Sequence, residues 1–422
     1  MSFFSELRAH KYNSLKTFVL YLMILISGMN FAIVGVTLLD LQVVVNTTLD
    51  KITAIMPSNG FASDFIDIQI LLIIAAFLTS ISNAFIPWNN TLISLCVNRA
   101  ISGFLGGFIV NGGNVWILHL WGTESPPFIQ ALHFAFGCGA LIGPLIAEPF
   151  LLEIKHNQHS LLNSTSVRAI PQLKVHYPYM IVASFSLIVV IIFGIVYFIR
   201  RSNDPHPTRK KVVGENEKSS VTFLMHCVIV FLSCSFLFFY IGLELSFGTM
   251  LTTYVVNSDL KLDKSTASYM TSVYWATFTF FRCFTIFVID YIGCKNLLIS
   301  NLFLIMLSNF ILLPFGNSYV WCLWIGIILM GFGTSPIFGA FFGFLQEFIF
   351  ISSKTASTLF VAGCIGQFVI PYAIGNFVDK YPPIFLYISF ICGCIACALF
   401  TILAFIRGHY LNRREETEST RF

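Results

Sequence analysis

The residues that could do chemistry in this chain are polar side chains set inside apolar runs. Asn111, Asn114, His119, Gln130, His133 and Glu148 all lie in or beside the hydrophobic stretches of Asn111–Leu151. Water cannot satisfy such groups at bilayer depth, so they must face protein or an aqueous cavity. A break at Gly122–Pro127 separates two helices, and the pair reads as half of a solute pathway. Glu244 lies in FFYIGLELSFGTML. A carboxylate there costs about 2.5–3.5 kcal/mol on insertion scales, so it needs water or a partner. Tyr240 one turn before it and Phe247 nearly one turn after put an aromatic, a carboxylate and an aromatic on one face. Such a face suits a polar solute or a cation, and it equally suits an ion pair that locks two helices. Arg282 is the natural partner, because Trp275, Phe278 and Arg282 share a face of the next hydrophobic segment. Indole faces stack on the apolar face of a sugar ring, while carboxylates, amides and guanidinium groups bind its hydroxyls. The same constellation also fits a structural Glu–Arg pair beneath ordinary aromatic packing, and spacing leaves both readings open.

Further polar groups are dispersed. Asp40 ends the first apolar run, after Gly35. Arg99 opens an R-x3-G-x2-G face with Gly103 and Gly106, and Gln346, Glu347 and Gln367 add polarity to late runs. His119 and His133 read either as proton shuttles or as hydrogen-bonded helix contacts. The pairs Gly103/Gly107, Gly139/Gly143 and Gly339/Gly343 allow close helix approach. Pro144, Pro336 and Pro371 each remove a helical hydrogen bond and favour a kink. The 11 cysteines have no zinc-like spacing, which makes them small buried hydrophobes. No P-loop, H-E-x-x-H or nucleophile elbow is present, and the acids are dispersed rather than paired, so the chain reads as a non-enzyme without cofactor.

The elements that must position these groups are membrane helices. Of 422 residues, 56% are hydrophobic and only 10% charged, against about 25% charged in soluble domains. The 46 phenylalanines fit a lipid-facing surface, and a net charge of +4 with basic residues clustered in loops implies no nucleic acid. The polar, basic start MSFFSELRAHKYNSLK lacks the features of a signal peptide. About eleven spans are expected, at roughly 17–39, 65–87, 91–120, 127–151, 178–200, 221–250, 266–290, 295–314, 319–349, 354–378 and 383–407. A polar, basic linker at 201–220 divides a bundle of five spans, 1–200, from one of six, 221–422. Basic residues place the linker and the C-terminus in the cytoplasm. The loop at 152–177 is then outside, with an acceptor sequon at Asn163, as is the loop before Thr91, with a sequon at Asn89 close to the membrane.

This count conflicts at the front of the chain. A basic N-terminus belongs inside and the Asn46 sequon outside, yet Leu49–Asp64 is too short and too polar to cross back. Either the first span runs outside-to-inside or a second helix is missing, and agreement of the sequons favours the second reading. Two such halves joined by a cytoplasmic linker describe the major facilitator fold, an all-α polytopic architecture of two helical bundles. Asp290-Tyr-Ile-Gly293-Cys-Lys295 resembles that superfamily's charged loop motif, whose first-half equivalent would fall near Gly60–Asp67.

GGNVWILHLWG (112–122) followed by QALHFAFGCGALIGPLIA (130–147) resembles the sodium-dependent glucose transporter 1 branch of the major facilitator superfamily, a relative of the fucose permease group. Tyr240–Glu244, the Trp275…Arg282 face, Lys354-Thr-Ala-Ser and Ile370–Gly375 extend the likeness over about residues 17–407. The resemblance implies a plasma-membrane hexose carrier working by alternating access, with Na+ as a coupling ion. With the resemblance, Asn114, Gln130, Tyr240, Glu244, Trp275 and Arg282 are the expected substrate-binding residues, and Asp40, at a position that fucose-type relatives use in sugar binding, is the expected coupling acid. Asn46 and Asn163 are the glycosylation candidates. Members of the branch carry a complete second helix between Asn46 and Phe65, an acid at the position of Val110, and a Glu-Gln pair where this chain has Gln346-Glu347. Gln367 also stands where a Glu is expected. The rival reading is a truncated, non-transporting or regulatory membrane protein.

Overall fold

The computed structural model describes residues 11–48, 51, 68–121, 125–152, 174–199, 223–349 and 353–419. The expected linker at 201–220, the Asn163 sequon and nearly all of the segment 49–67 lie outside the described residues. Helices account for almost all of the rest. They are α1 (Lys11–Val44), α2 (Ile68–Ala84), α3 (Leu92–Trp121), α4 (Ser125–Ala147), α5 (His176–Ile199), α6 (Phe223–Asn257), α7 (Lys264–Ile292), α8 (Cys294–Phe315), α9 (Val320–Thr334), α10 (Ile337–Gln346), α11 (Ser353–Gly375) and α12 (Ile384–Ser419). Among the described residues, ten helical stretches are long and apolar enough to cross a membrane, α9 and α10 together forming one of them. The chain is therefore a multi-pass membrane protein. The expected span at 266–290 falls within α7, a helix of 29 residues in which Arg282 is the one charge between Ser272 and Ile289.

Local signals explain the helix ends. The Thr91 hydroxyl accepts the backbone N–H of Ser94 at 3.2 Å and so starts α3. The Asp263 carboxylate accepts the N–H and hydroxyl of Thr266, at 3.1 and 2.7 Å, and so starts α7. Gly293 alone joins α7 to α8, and its φ of +77° is a conformation only glycine adopts without strain. Asn46, exposed in the turn after α1, also has a positive φ of 47°, which Asn tolerates better than most residues. Pro144 and Pro371 lie within continuous helices. Pro336 does not: the span breaks at Ser335-Pro336, between α9 and α10.

The chain packs as two compact units. Unit 1 comprises Met1–Ser202, Phe247–Ala276 and Ile374–Pro383; unit 2 comprises Asn203–Ser246, Thr277–Ala373 and Ile384–Phe422. The division thus runs through α6 and α7. In unit 1, α1 packs most extensively on α4 and also touches α5 and α3, while α2 lies against α3 and α5. In unit 2, α8 packs on α9, α10 and α12. α5 is apolar all round: Val182, Val189 and Phe193 are buried, whereas Ile188, Ile191 and Ile195 are more than half exposed. That pattern belongs in lipid.

Glycines set the closest contacts. A Cβ on Gly139 would stand 1.8 Å from the Leu25 carbonyl oxygen, and one on Gly28 would stand 2.0 Å from that of Phe136, so α1 and α4 touch backbone to backbone. Unit 2 repeats the device between α6 and α11, where a Cβ on Gly366 would meet the Phe238 carbonyl oxygen at 2.0 Å. Small residues are what permit such approaches in lipid. Gly139→Ala is expected to cost about 1–3 kcal/mol through forced separation of the helices. Gly194→Ala, on the open side of α5 with nothing within 4 Å, should be neutral or slightly stabilising. Thermal midpoints of the two purified variants in detergent check this.

Candidate functional site

In unit 2 the expected site residues Tyr240, Glu244 and Arg282 gather at the α9/α10 break. Pro336 has no N–H to give, and Ser335 and Pro336 lie between the two helices, so carbonyls near the break need donors from elsewhere. Two side chains supply them. Arg282, on α7, donates from Nε and Nη2 to the Ser335 carbonyl at 3.1 and 2.6 Å. Tyr240, on α6 and fully buried, lies 2.8 Å from the Thr334 carbonyl. The Ser335 hydroxyl in turn donates to the Phe278 carbonyl at 2.5 Å, and the Arg282 guanidinium sits 4.4 Å above the Phe278 ring. A guanidinium held over an aromatic face gains cation–π attraction as well.

Glu244 completes the group. Its Oε2 is the other partner of the Tyr240 hydroxyl, one helical turn away. The phenol has one proton, so it donates to the carboxylate or to the Thr334 carbonyl, not to both at once. The charge of Arg282 reaches Glu244. Tyr240, Glu244 and Arg282 are therefore brought together as the spacing suggested. What the sequence did not indicate is that the Thr334 and Ser335 carbonyls stand between them. The only cue was Pro336, read as a kink. The late polar pair Gln346 and Glu347 is exposed, and Glu347 pairs with Arg407.

The other expected site residues belong to unit 1. Trp275 is 1% exposed and packs edge-on to Phe31 (5.9 Å) and Phe136 (6.5 Å), with Tyr274 beside it at 5.2 Å. Gly248 makes room for the indole: a Cβ there would come within 2.3 Å of it. In this conformation the face needed for stacking on a sugar is covered. Asn114 is half-buried on α3 and donates to the Val110 carbonyl of its own helix at 2.9 Å. Gln130 is half-buried on α4. A small polar cleft between α1, α2, α3 and α5 is lined by Ser27, Asn30, Thr79 and Ser186 among apolar neighbours. None of those four stood out in the sequence, because isolated hydroxyls and amides in apolar runs are common.

Asp40, the expected coupling acid, has a charged partner in unit 1. It is 1% exposed at the end of α1 and ion-paired with Lys264 at the start of α7. Its second oxygen accepts the Leu152 N–H at 3.0 Å. Nearby, Ser265 donates to Glu148, and Ser268 donates to the Pro144 carbonyl at 2.9 Å. Thr37 and Tyr179 share a hydrogen bond of 2.8 Å, and Tyr179 lies within electrostatic reach of both Asp40 and Arg99. Arg99 is buried and donates to Ser102 at 3.3 Å. Sequence reading passed over Lys264 because Asp259-Leu-Lys-Leu-Asp-Lys264 looks like a solvated loop.

Asp263, which caps the helix carrying Lys264, is itself held below the usual carboxylate range. The Thr266 hydroxyl is the largest cause, and backbone N–H groups add to it. A depressed carboxylate stabilises the fold above its unfolded pKa, and that contribution is lost as the pH falls through the folded value. Asp263→Ala is expected to cost about 0.5–2 kcal/mol at neutral pH. The gap between variant and parent should close in acid below about pH 4. Thermal midpoints across pH in detergent measure both effects.

Comparison with known proteins gives a consistent answer. The family model of the Major Facilitator Superfamily matches residues 18–371. Sodium-dependent glucose transporter 1A of Mus musculus is 27% identical over 406 residues, covering 90% of this chain and 92% of its own. Among solved structures, a D-xylose–proton symporter superposes with a TM-score of 0.67 at 14% identity, over 93% of this chain and 97% of that one. The E. coli fucose:proton symporter, FucP, gives 0.57 at 15% identity, over 93% and 98%.

Proposed function

The chain belongs to the Major Facilitator Superfamily of membrane transporters, and on that premise we propose that it carries a hexose by alternating access, with sodium as the coupling ion. The observation that carries this reading is the Tyr240–Glu244–Arg282 cluster on the broken α9/α10 span. Membrane carriers use interrupted helices to offer backbone carbonyls to polar solutes. Here a carboxylate, a phenol, a guanidinium and two carbonyls supply donors and acceptors in alternation, which suits a ring of hydroxyls. The names of the relatives support a sugar and sodium, and the structural neighbours include sugar carriers.

Within this proposal 1–200 and 221–422 act as the two halves of the carrier. The linker at 201–220 and the C-terminus are cytoplasmic, Asn46 and Asn163 face outward, and the protein works at the plasma membrane. Trp275, Asn114 and Gln130 contact sugar in a conformation other than the one described. Asp40 binds the coupling cation.

Purified protein in proteoliposomes is expected to take up labelled glucose faster with an inward sodium gradient than with choline. Glu244→Gln, Arg282→Gln and Trp275→Ala should each lower uptake at least about tenfold, a loss of about 1.4 kcal/mol of useful binding. Surface expression should be unchanged. Normal uptake by all three would refute the site. Absence of flux for any sugar from folded protein would favour the non-transporting reading.

A further inference from the structure

The setting of Asp40 adds a residue to the proposed coupling machinery. Both oxygens of its carboxylate are occupied, one by the Lys264 ammonium and the other by the Leu152 N–H. The two charged side chains are only 4% and 2% exposed. The surroundings hold both backbones in place. Ser265 is tied to Glu148, Ser268 to the Pro144 carbonyl, and Gly35 lies against Thr249, where a Cβ would come within 2.7 Å of the Thr249 Cα. A buried ion pair is a poor source of stability, because desolvation offsets most of the attraction and an apolar pair often does as well. Retaining one therefore points to a use for the charges in another state. Lysine suits such a use: its ammonium is a compact, strongly hydrated unit charge on a flexible stem. It presents to a carboxylate what a monovalent cation would present.

We propose that Lys264 is the tethered counter-ion of Asp40 and competes with the coupling cation for the same carboxylate. The inference rests on the cation-coupled reading above. With the pair formed, Lys264 keeps the Asp40 carboxylate occupied, and the start of α7 stays fastened to the end of α1. A sodium ion that takes the carboxylate displaces the ammonium and removes that tie between α7 and α1. Binding of the ion and loss of the tie are then a single event.

The test uses the full chain, with sodium as the probe. In proteoliposomes, Lys264→Gln should lower the sodium concentration for half-maximal glucose uptake by about tenfold, and Asp40→Asn should abolish the sodium response. A second readout needs no transport: the thermal midpoint of the detergent-purified protein in sodium chloride against choline chloride. Sodium should raise it for the parent and more strongly for Lys264→Gln. It should leave Asp40→Asn and the neutral double variant Asp40→Asn/Lys264→Gln unmoved. Removing one partner of a buried pair is costly; if Lys264→Gln does not fold, the double variant decides, and a parental sodium response in it overturns the proposal. Equal sodium responses in the parent and Lys264→Gln also overturn it, while leaving the carrier reading intact. No uptake of any sugar by the parent, together with the expected pattern of midpoints, refutes the hexose reading and upholds the counter-ion.

Discussion

Every polar group at bilayer depth must find its partner inside the protein, and this constraint organises the whole chain. Where a helix runs unbroken, its backbone satisfies itself. Where α9 gives way to α10, it does not, and Arg282 and Tyr240 come from two other helices to serve the carbonyls of Ser335 and Thr334. Where a charge is buried, as at Asp40, the opposite charge arrives from 224 residues away along the chain. Both candidate clusters are thus places where a helix could not meet its own needs.

The same constraint explains the glycines. Lipid gives no hydrophobic reward for bringing helices together, so contact must be close to be worth having. α1 against α4 and α6 against α11 achieve this in the same way, with a glycine on one helix seated on a carbonyl of the other. α1 opens the first half of the chain and α6 the second. Their matching contacts are a structural trace of an internal repeat, although the glycine spacings alone did not reveal it.

Most of the architecture was legible in the sequence because membrane helices announce themselves by length and apolarity. The first expected span, 17–39, lies inside α1, and the span at 295–314 coincides with α8 almost residue for residue. Tyr240, Glu244 and Arg282 were legible too, since a charge inside an apolar run is conspicuous. What escaped were features defined by the third dimension. Lys264 sits among loop-like charges and becomes meaningful only beside Asp40. Trp275 read either as a stacking face or as ordinary aromatic packing, and it is enclosed by Phe31 and Phe136, residues 244 and 139 positions away by number, which no helical periodicity connects. α7 is a helix of membrane length, and the hydroxyls of its first half bond to α4, α6 and Glu148, partners that sequence spacing does not connect.

The interruption at Ser335-Pro336 also has an electrical meaning. An intact helix cancels its peptide dipoles everywhere except at its two ends, which normally lie in the headgroup region. Dividing this span into α9 and α10 brings one end of each helix into the hydrocarbon layer. The end of α9 carries a partial negative charge and the beginning of α10 a partial positive one. Arg282 lies against the negative pole and is thereby held in a region that would otherwise expel a cation. The field of the divided helix, as much as any single hydrogen bond, keeps a guanidinium inside the membrane.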